Sequence, residues 1–276
     1  MSSPAPQAVR GALTFIVPQE SKPYFESSAL TGGDSKAYFE TEAREVTIRD
    51  MRALPAASID KEGFELVPHQ SAVTDFYNDR SLKDVYEQEL ATLLTDRFGA
   101  SRVAVFDHTR RSDAPEGAAN PDGPRGPATR VHVDYTVVSG PKRAADALGQ
   151  EEVTRILDGG GRIMQVNVWR PIVGPVRRTP LALADASSIA ASELTATDQI
   201  FPDRIGEIYQ IAYGPDQKWY WVPNMDRDEV LLIKGWDSLD DGRAMFTPHG
   251  AFELPNQSPD APARQSIEVR TYVIFE

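Results

Sequence analysis

The sequence predicts a mainly β protein, a β-sandwich or jelly roll with helices packed against it. Short runs of alternating apolar and polar residues recur through the second half of the chain, and turn residues separate them. Only two segments have the three- and four-residue apolar spacing of an amphipathic helix. No repeat of fixed period and no coiled-coil heptad pattern is present.

The predicted strands share alternating apolar and polar residues, or a short apolar run bounded by turn signals. The clearest is residues 163–169, where apolar and polar side chains alternate until Pro171 ends the run. In chain order, strands are expected at residues 12–17, 45–50, 63–67, 101–107, 131–138, 163–169, 207–213, 219–222, 229–234 and 265–275.

Two helices are predicted between these strands. Residues 81–98 place leucines at helical spacing, and Gly99 ends the segment. Residues 142–157 form the second helix, which a run of three glycines closes.

Three other segments are expected to be irregular. Residues 1–10 are expected to be a loose tail, with a turn at 32–34 and a linker at 55–61. Residues 112–129 contain several prolines and glycines and few large apolar side chains, so an exposed loop is predicted there. This loop directly precedes the candidate metal ligands, which makes it a candidate lid.

Composition indicates an ordinary globular chain of 276 residues, with 41% hydrophobic and 25% charged residues. The absence of cysteine excludes disulfides, iron–sulfur ligation and cysteine nucleophiles, and it suits a reducing cytoplasm. A net charge of −12 argues against nucleic acid as a partner, and no apolar run is long enough for a membrane span. We expect one cytoplasmic domain over residues 1–276, in which residues 1–100 pack on a jelly-roll core of residues 101–276.

The candidate site is a set of three side chains that suits a metal ion. Two imidazoles and one carboxylate on one face of an ion leave the other face open, as in non-haem iron(II) oxygenases. His132 and Asp134 are two residues apart on a predicted strand, so both point to the same side. His249 follows 117 positions later (249 − 132), after Pro248. In the alternative interpretation, His132 and Asp134 lie on the solvent face of an edge strand and His249 caps a turn.

A second set of polar residues lies at the start of the last predicted strand. An oxygenase with a 2-oxo acid co-substrate needs a buried cation for the distal carboxylate, and arginine binds carboxylates through two parallel hydrogen bonds. Arg264 follows His249 by 15 positions (264 − 249), and Ser266, Glu268 and Arg270 continue on its face. Such a stripe fits the interior of a barrel that holds a charged ligand, or alternatively an exposed strand face.

Seven short motifs follow one another from about residue 100 to the C-terminus: VFDHT at 105–109, VHVDYT at 131–136, NVWRP at 167–171, GPV at 174–176, PLALAD at 180–185, KGWDS at 234–238 and RQSIEVR at 264–270. In this order they resemble the AsaB/CmcJ-like family of iron(II)/2-oxoglutarate-dependent hydroxylases and desaturases. The first hundred residues resemble that family more loosely.

The resemblance implies a double-stranded β-helix, the cupin-like form of the jelly roll. It also implies iron(II) as cofactor, with 2-oxoglutarate and O2 as co-substrates. His132, Asp134 and His249 would be the iron ligands. Arg264 would bind the 2-oxoglutarate carboxylate with help from Ser266, and Arg270 is the rival for that role.

Four further residues are candidate substrate contacts: Asn167, Trp169, Arg170 and Arg110. A core position is the alternative for Trp169. Lys234 and Asp237 also match the family pattern and are expected to be structural.

The predicted function is oxidation of a small molecule by hydroxylation, desaturation or ring formation, in secondary-metabolite or modified amino-acid biosynthesis. Two alternatives remain open. One is an iron(II) oxidase that needs no 2-oxo acid. The other is a jelly-roll protein that binds a ligand without catalysis.

Overall fold

The computed structural model describes residues 8–33, 35–54, 56–255, 257–258 and 260–276. Residues 1–7 of the expected tail, Asp34 of the expected turn and Pro55 of the expected linker lie outside the described residues. The strands are β1 (Ala8–Ile16), β2 (Tyr24–Glu26), β3 (Lys36–Ala37), β4 (Thr41–Asp50), β5 (Phe64–Pro68), β6 (Arg102–Ser112), β7 (His132–Val133), β8 (Arg162–Pro171), β9 (Leu181–Ala184), β10 (Leu194–Ile200), β11 (Ile205–Ile211), β12 (Trp219–Trp221), β13 (Glu229–Asp237), β14 (His249–Ala251) and β15 (Gln265–Phe275).

The helices are few and mostly short. No helix in the described part of the chain combines the length and apolar character needed to cross a bilayer. The α-helices are α1 (Ser28–Thr31), α2 (Asp79–Ser81), α3 (Glu87–Phe98), α4 (Ser139–Leu148) and α5 (Gln150–Asp158). A π-helical turn at Leu82–Tyr86 joins α2 to α3, and single 3-10 turns lie at Met51–Ala53, Ala186–Ser188 and Ala191–Glu193.

The strands form two sheets, and this confirms the predicted jelly roll. The larger sheet has the order β1-β4-β12-β9-β14-β7-β11-β10-β2-β3, and the smaller has the order β5-β13-β8-β15-β6. The two sheets face each other across an apolar core to which β5, β8 and β13 of the smaller sheet and β9 and β12 of the larger one contribute. Strands from the first hundred residues therefore belong to both sheets.

The larger sheet curls strongly at one end. β1 pairs with β4, and its residues Thr14 and Ile16 also form bridges to Arg130 and Ala212, beside β7 and β11. A second apolar cluster, with Leu13, Phe15, Trp219 and other side chains, fills the curl. This packing holds β7 and β14, which carry the two candidate histidine ligands, in the middle of a wide sheet.

The helical segment of α2 and α3 covers the outer face of the smaller sheet. Leu82, Tyr86, Leu90 and Leu94 recur every four residues along the segment and are almost fully buried. They pack against Met164, Val166 and Val168 of β8. Because successive strand residues point to opposite faces, the odd-numbered residues Asn167 and Trp169 point into the space between the sheets.

The structure corrects three sequence-based predictions. Residues 8–10, expected in a loose tail, begin β1 and pair with β4. The helix predicted at 142–157 is two helices, because Gly149 has a left-handed backbone conformation (φ 91°) that ends α4 before α5 begins. The strand predicted at 131–138 is only the two residues of β7, and Val137 and Val138 are 52% and 54% exposed. Asp134 therefore does not lie in a buried valine run. Strands β2, β3, β9, β10 and β14 were not predicted, and all of them except the seven-residue β10 span four residues or fewer.

A buried ion cluster joins β8 and β13 away from the candidate site. Lys234 and Asp237 are fully buried and paired at 2.8 Å, and Lys234 also contacts Asp60 at 2.8 Å. Arg162 donates to both Asp237 oxygens. Lys234 and Asp237 thus have structural partners, as the sequence analysis expected, and Asp237 is the last residue of β13.

Replacing Asp237 with Asn should destabilise the fold by about 3 kcal/mol, because Lys234 and Arg162 would lose the one fully buried carboxylate that pairs with them. Asp241→Asn is the matched control. The Asp241 carboxylate is about half exposed and pairs with Arg243, so its loss should cost less than about 1 kcal/mol. Urea denaturation measures both changes, and equal midpoints for the two variants would contradict the assignment.

Candidate metal centre

Three ligand-type side chains converge between the sheets. His132 in β7 lies directly opposite His249 in β14, and residues paired in this way point to the same face. The ring centroids of the two histidines are 4.6 Å apart. Asp134 follows two residues after His132, and its Oδ1 lies 3.4 Å from His132 Nε2. One ligand atom from each of the three residues falls within 4.8 Å of the others, which fits a single metal ion.

Both imidazoles are oriented by their second ring nitrogen. His132 Nδ1 lies 2.8 Å from the carbonyl oxygen of Arg130, and His249 Nδ1 lies 3.0 Å from that of Thr247. A carbonyl only accepts hydrogen bonds, so each Nδ1 carries the proton and each Nε2 is left as a free electron-pair donor. Burial, with the nearby His132, lowers the pKa of His249 and keeps its ring neutral. Metal-binding histidines usually donate their other ring N–H to a carbonyl or carboxylate in this way.

The Asp134 carboxylate has one oxygen held by the protein and one directed toward the histidines. Its Oδ2 accepts from Asn167 Nδ2 at 2.7 Å and from Arg270 Nε at 3.2 Å. Asn167 in turn accepts from Gln165 Nε2 at 2.6 Å. Burial alone would raise the pKa of Asp134, but Arg270 and the histidines hold it well below its usual range. The carboxylate therefore stays ionised, as a metal ligand must.

Arg270 is fully engaged with protein partners. Besides Asp134, its guanidinium contacts Glu268 Oε1 at 2.6 Å, Asp107 Oδ2 at 2.7 Å and Thr109 Oγ1 at 3.0 Å. Burial lowers the pKa of Arg270, and the three carboxylates more than compensate, so the net shift is upward. Arg270 connects the carboxylate of the candidate metal site to the smaller sheet.

Arg264, in contrast, is buried with most of its hydrogen-bond donors unpaired by the described residues. It is 3% exposed, its Nη1 donates to Ser266 Oγ at 3.1 Å, and its Nε and Nη2 have no hydrogen-bond partner among the described residues. Its guanidinium lies 5.9 Å from the Trp169 ring. Burial lowers the pKa of Arg264 to about 10, with the nearby Arg111 adding to the effect. Two unused N–H groups on a buried cation fit a carboxylate, which can accept both.

The other predicted contacts separate into two groups. Asn167 contacts Asp134 at the candidate metal centre. Trp169 belongs to the apolar core between the sheets, as its alternative interpretation expected, and its ring faces Arg264. Arg170 and Arg110 point to the opposite face, toward the helical segment. Arg170 donates to the Tyr86 hydroxyl and to two backbone carbonyls, and Arg110 donates to the Phe76 carbonyl and pairs with Asp79. Neither guanidinium belongs to the site, so these two substrate contacts are not supported.

A cavity of about 1130 Å³ opens onto the site, large enough for a small organic molecule. Two of its lining residues were missed in the sequence. Gln210 in β11 pairs directly with His132, is 2% exposed, and its Oε1 has no described hydrogen-bond partner. Arg111 in β6 also lines the cavity. Both residues reach the cavity because of how their strands pair: Gln210 lies opposite His132, and Arg111 lies opposite Ser266. The alternation of β6 after Asp107 and Thr109 was the one available signal for Arg111.

The predicted loop at 112–129 forms one wall of this cavity, with Pro124, Gly126 and Pro127 among the lining residues. It is half-buried in places rather than exposed throughout. Asn120 attaches it to β6 by hydrogen bonds in both directions with the Arg110 backbone, at 2.8 and 2.9 Å.

Known proteins resemble this chain over nearly its whole length. Residues 13–274 match the family model described as Oxidoreductase/YMDC permease-like domain. The hydroxylase/desaturase efuI of Hormonema carpetanum is 34% identical over an alignment of 268 residues, and the match covers 89% of this chain and 88% of efuI. The alpha-ketoglutarate-dependent dioxygenase phiK of a fungal species is 34% identical over 238 residues, which are 84% of each protein.

A solved structure agrees with these relatives. The iron and alpha-ketoglutarate-dependent endoperoxidase NvfI matches with a TM-score of 0.84 at 25% identity, and the match covers 98% of this chain and 99% of NvfI. The similarity in fold thus includes both sheets.

Replacing Arg270 with Gln should destabilise the protein by about 3 kcal/mol at pH 7, because Asp134 and Glu268 would remain buried without their cation. The pKa of Asp134 is lower in the folded protein than in the unfolded chain. The stabilisation from its pairing with Arg270 is therefore complete above the ordinary carboxyl pKa, and it is lost as the pH falls toward the pKa of Asp134 in the folded protein. The difference from wild type should therefore shrink below about pH 4.

Urea denaturation from pH 7 to pH 3 measures this. Arg143→Gln is the control, since the described contact of Arg143 is with the Phe106 ring. A difference between wild type and Arg270→Gln that stays constant over this pH range would rule out the ionic origin.

Proposed function

The chain belongs to the family of iron(II)/2-oxoglutarate-dependent hydroxylases and desaturases, and on this premise we propose that His132, Asp134 and His249 hold its iron. We further propose that Arg264, assisted by Ser266, binds the distal carboxylate of 2-oxoglutarate. The enzyme oxidises a small molecule by hydroxylation, desaturation or ring formation. The observation that carries the site proposal is the convergence of three ligand atoms within 4.8 Å beside a large cavity.

The donor set suits iron(II). Two neutral imidazoles and one carboxylate make the facial set that leaves coordination positions open for a co-substrate and O2. When bound, iron(II) and 2-oxoglutarate supply the oxidising chemistry, in which O2 is reduced, 2-oxoglutarate becomes succinate and carbon dioxide, and the substrate loses hydrogen or gains oxygen.

The protein's own part is to position the ligands and the co-substrate. The Arg130 and Thr247 carbonyls hold each histidine with Nε2 facing the centre. Asn167 and Arg270 hold Asp134 by one oxygen, which directs the other to the metal. Ligands fixed in this way need little reorganisation when the ion binds.

Arg264 is a better candidate than Arg270 for the 2-oxoglutarate carboxylate. Arg270 is already paired with three carboxylates, so a further anion would have to displace one of them. Arg264 has two buried N–H groups without a described partner, next to the Ser266 hydroxyl. The 15-residue interval after His249 supports the same choice.

The substrate is proposed to be an intermediate of secondary-metabolite or modified amino-acid biosynthesis, and one similar protein, from Aspergillus oryzae, is named for aspirochlorine biosynthesis. Asn167 and Trp169 remain proposed contacts, because both point into the space between the sheets. Nucleic acid is not proposed as a partner, since the net charge of −12 would repel phosphate. We also propose that residues 1–276 act as one domain, in the reducing cytoplasm that a cysteine-free chain suits.

Anaerobic titration of the purified protein with iron(II) and then 2-oxoglutarate should produce a weak visible charge-transfer band. His132→Ala should abolish the band, whereas His108→Ala, on the opposite face, should keep it. Arg264→Gln should still bind iron but should raise the 2-oxoglutarate dissociation constant about a hundredfold, because a bidentate charged contact is lost.

Each other outcome has a definite meaning. Iron binding without a band would favour an oxidase that needs no 2-oxo acid. No iron binding would leave a jelly-roll ligand-binding protein. An unchanged 2-oxoglutarate affinity in Arg264→Gln would refute the assignment of that residue.

The loop at 112–129 is proposed to act as a lid that limits wasteful turnover. Asn120→Ala would remove the side-chain hydrogen bonds between the loop and the Arg110 backbone and should increase succinate formation in the absence of substrate. Glu116→Gln, an exposed change in the same loop, is the control. Equal succinate formation in Asn120→Ala and wild type would count against a lid.

A further inference from the structure

Arg111 lies beside the Arg264 subsite without an assigned role. It is directly opposite Ser266 where β6 pairs with β15, so the two side chains point to the same face. Its guanidinium lines the large cavity. Its one described hydrogen bond runs from Nη1 to the Gly126 carbonyl oxygen, at 3.0 Å.

Arg111 lacks a counter-ion among the described residues. No described carboxylate oxygen lies within the 4.0 Å ion-pair distance of its nitrogens. The nearest negative charges are Asp134 and Glu268, and Arg270 already pairs with both, at 3.2 and 2.6 Å. Burial lowers the pKa of Arg111, and the neighbouring Arg270 and Arg125 lower it further.

The neighbouring residue on the same strand shows the contrast. Arg110 points to the other face and has both a carboxylate partner, Asp79, and a carbonyl partner. Arg111 is partly exposed on the cavity wall, so its guanidinium is partly desolvated without a carboxylate partner, and an anion in the cavity would offset that cost. A carboxylate suits it best, since its two oxygens match the planar donors of arginine.

We propose that Arg111 binds a carboxylate in the cavity, as a second arginine next to Arg264. This inference rests on the proposed function, since it takes Arg264 and Ser266 as the co-substrate subsite. The carboxylate has two possible sources. One is the 2-oxo acid end of 2-oxoglutarate, which lies toward the metal from Arg264. The other is a carboxylate of the substrate. The alternative is a purely structural role, in which Arg111 only attaches Gly126 of the loop to β6.

The test uses iron(II)-loaded protein without oxygen and follows the charge-transfer band. Wild type, Arg111→Gln and Arg111→Lys are titrated with 2-oxoglutarate, and the saturated complexes are then titrated with benzoate as a probe carboxylate. Lys142→Gln is the matched control, because Lys142 is an exposed cation on the wall of the same cavity. Thermal unfolding midpoints report on the fold.

The proposal expects Arg111→Gln to weaken binding at least tenfold for one of the two carboxylates, with partial recovery in Arg111→Lys and less than a twofold change in Lys142→Gln. Weaker binding of 2-oxoglutarate identifies the co-substrate as the source of the carboxylate that Arg111 binds. A normal 2-oxoglutarate titration with weaker benzoate binding identifies the substrate.

Unchanged binding of both compounds would overturn the proposal, and a lower unfolding midpoint in that case would assign Arg111 the structural role. A wild-type protein that gives no band would overturn the proposed function itself and the inference with it. The two failures are therefore distinguishable.

Discussion

The buried ion pair between Asp134 and Arg270 joins the two sheets at the centre of the jelly roll. Asp134 follows β7 of the larger sheet, and Arg270 belongs to β15 of the smaller one. A carboxylate in this position would be costly without a cation, and the cation would be costly without its three carboxylates. The pair allows the part of the inter-sheet space around Asp134 to be polar and to enclose a site. Apolar side chains fill another part of that space.

Arg270 and two arginines near it differ in how many of their N–H groups have partners in the protein. Arg270 pairs with three carboxylates, and it positions Asp134. Arg264 has two buried N–H groups without a described partner, and Arg111 has a single carbonyl. The number of unused donors therefore separates a positioning role from a ligand-binding one, which identical residue types in a sequence do not reveal. The same reasoning places Arg110 and Arg170, which are well satisfied on the outer face, outside the site.

Much of the fold and of the site could be predicted from the sequence, because strand alternation carries the information. The polar stripe of Ser266, Glu268 and Arg270 in β15 follows from it. Asp134, in contrast, lies just after the two-residue strand β7, so its approach to His132 is not a product of regular alternation. Alternation along β8 also implies that Trp169 and Arg170 point in opposite directions, and naming both as contacts overlooked this. The family resemblance was confirmed.

The features that could not be predicted from the sequence depend on contacts between segments that are far apart in the chain. The direct pairing of His132 with His249 and with Gln210 is a property of sheet register, and the residues concerned are far apart in the chain. The two-residue strand β7 and the three-residue strand β14 are too short to produce a periodic signal. Gly149 separates α4 from α5 within a region whose apolar spacing predicts a single helix.

The central claim is that one iron ion is held by His132, Asp134 and His249. The most direct test is anomalous X-ray diffraction at the iron absorption edge, from crystals grown without oxygen with iron(II) and 2-oxoglutarate. The account predicts a single strong peak in contact with both Nε2 atoms and one Asp134 oxygen. The absence of a peak there, or a peak coordinated by other side chains, would contradict it.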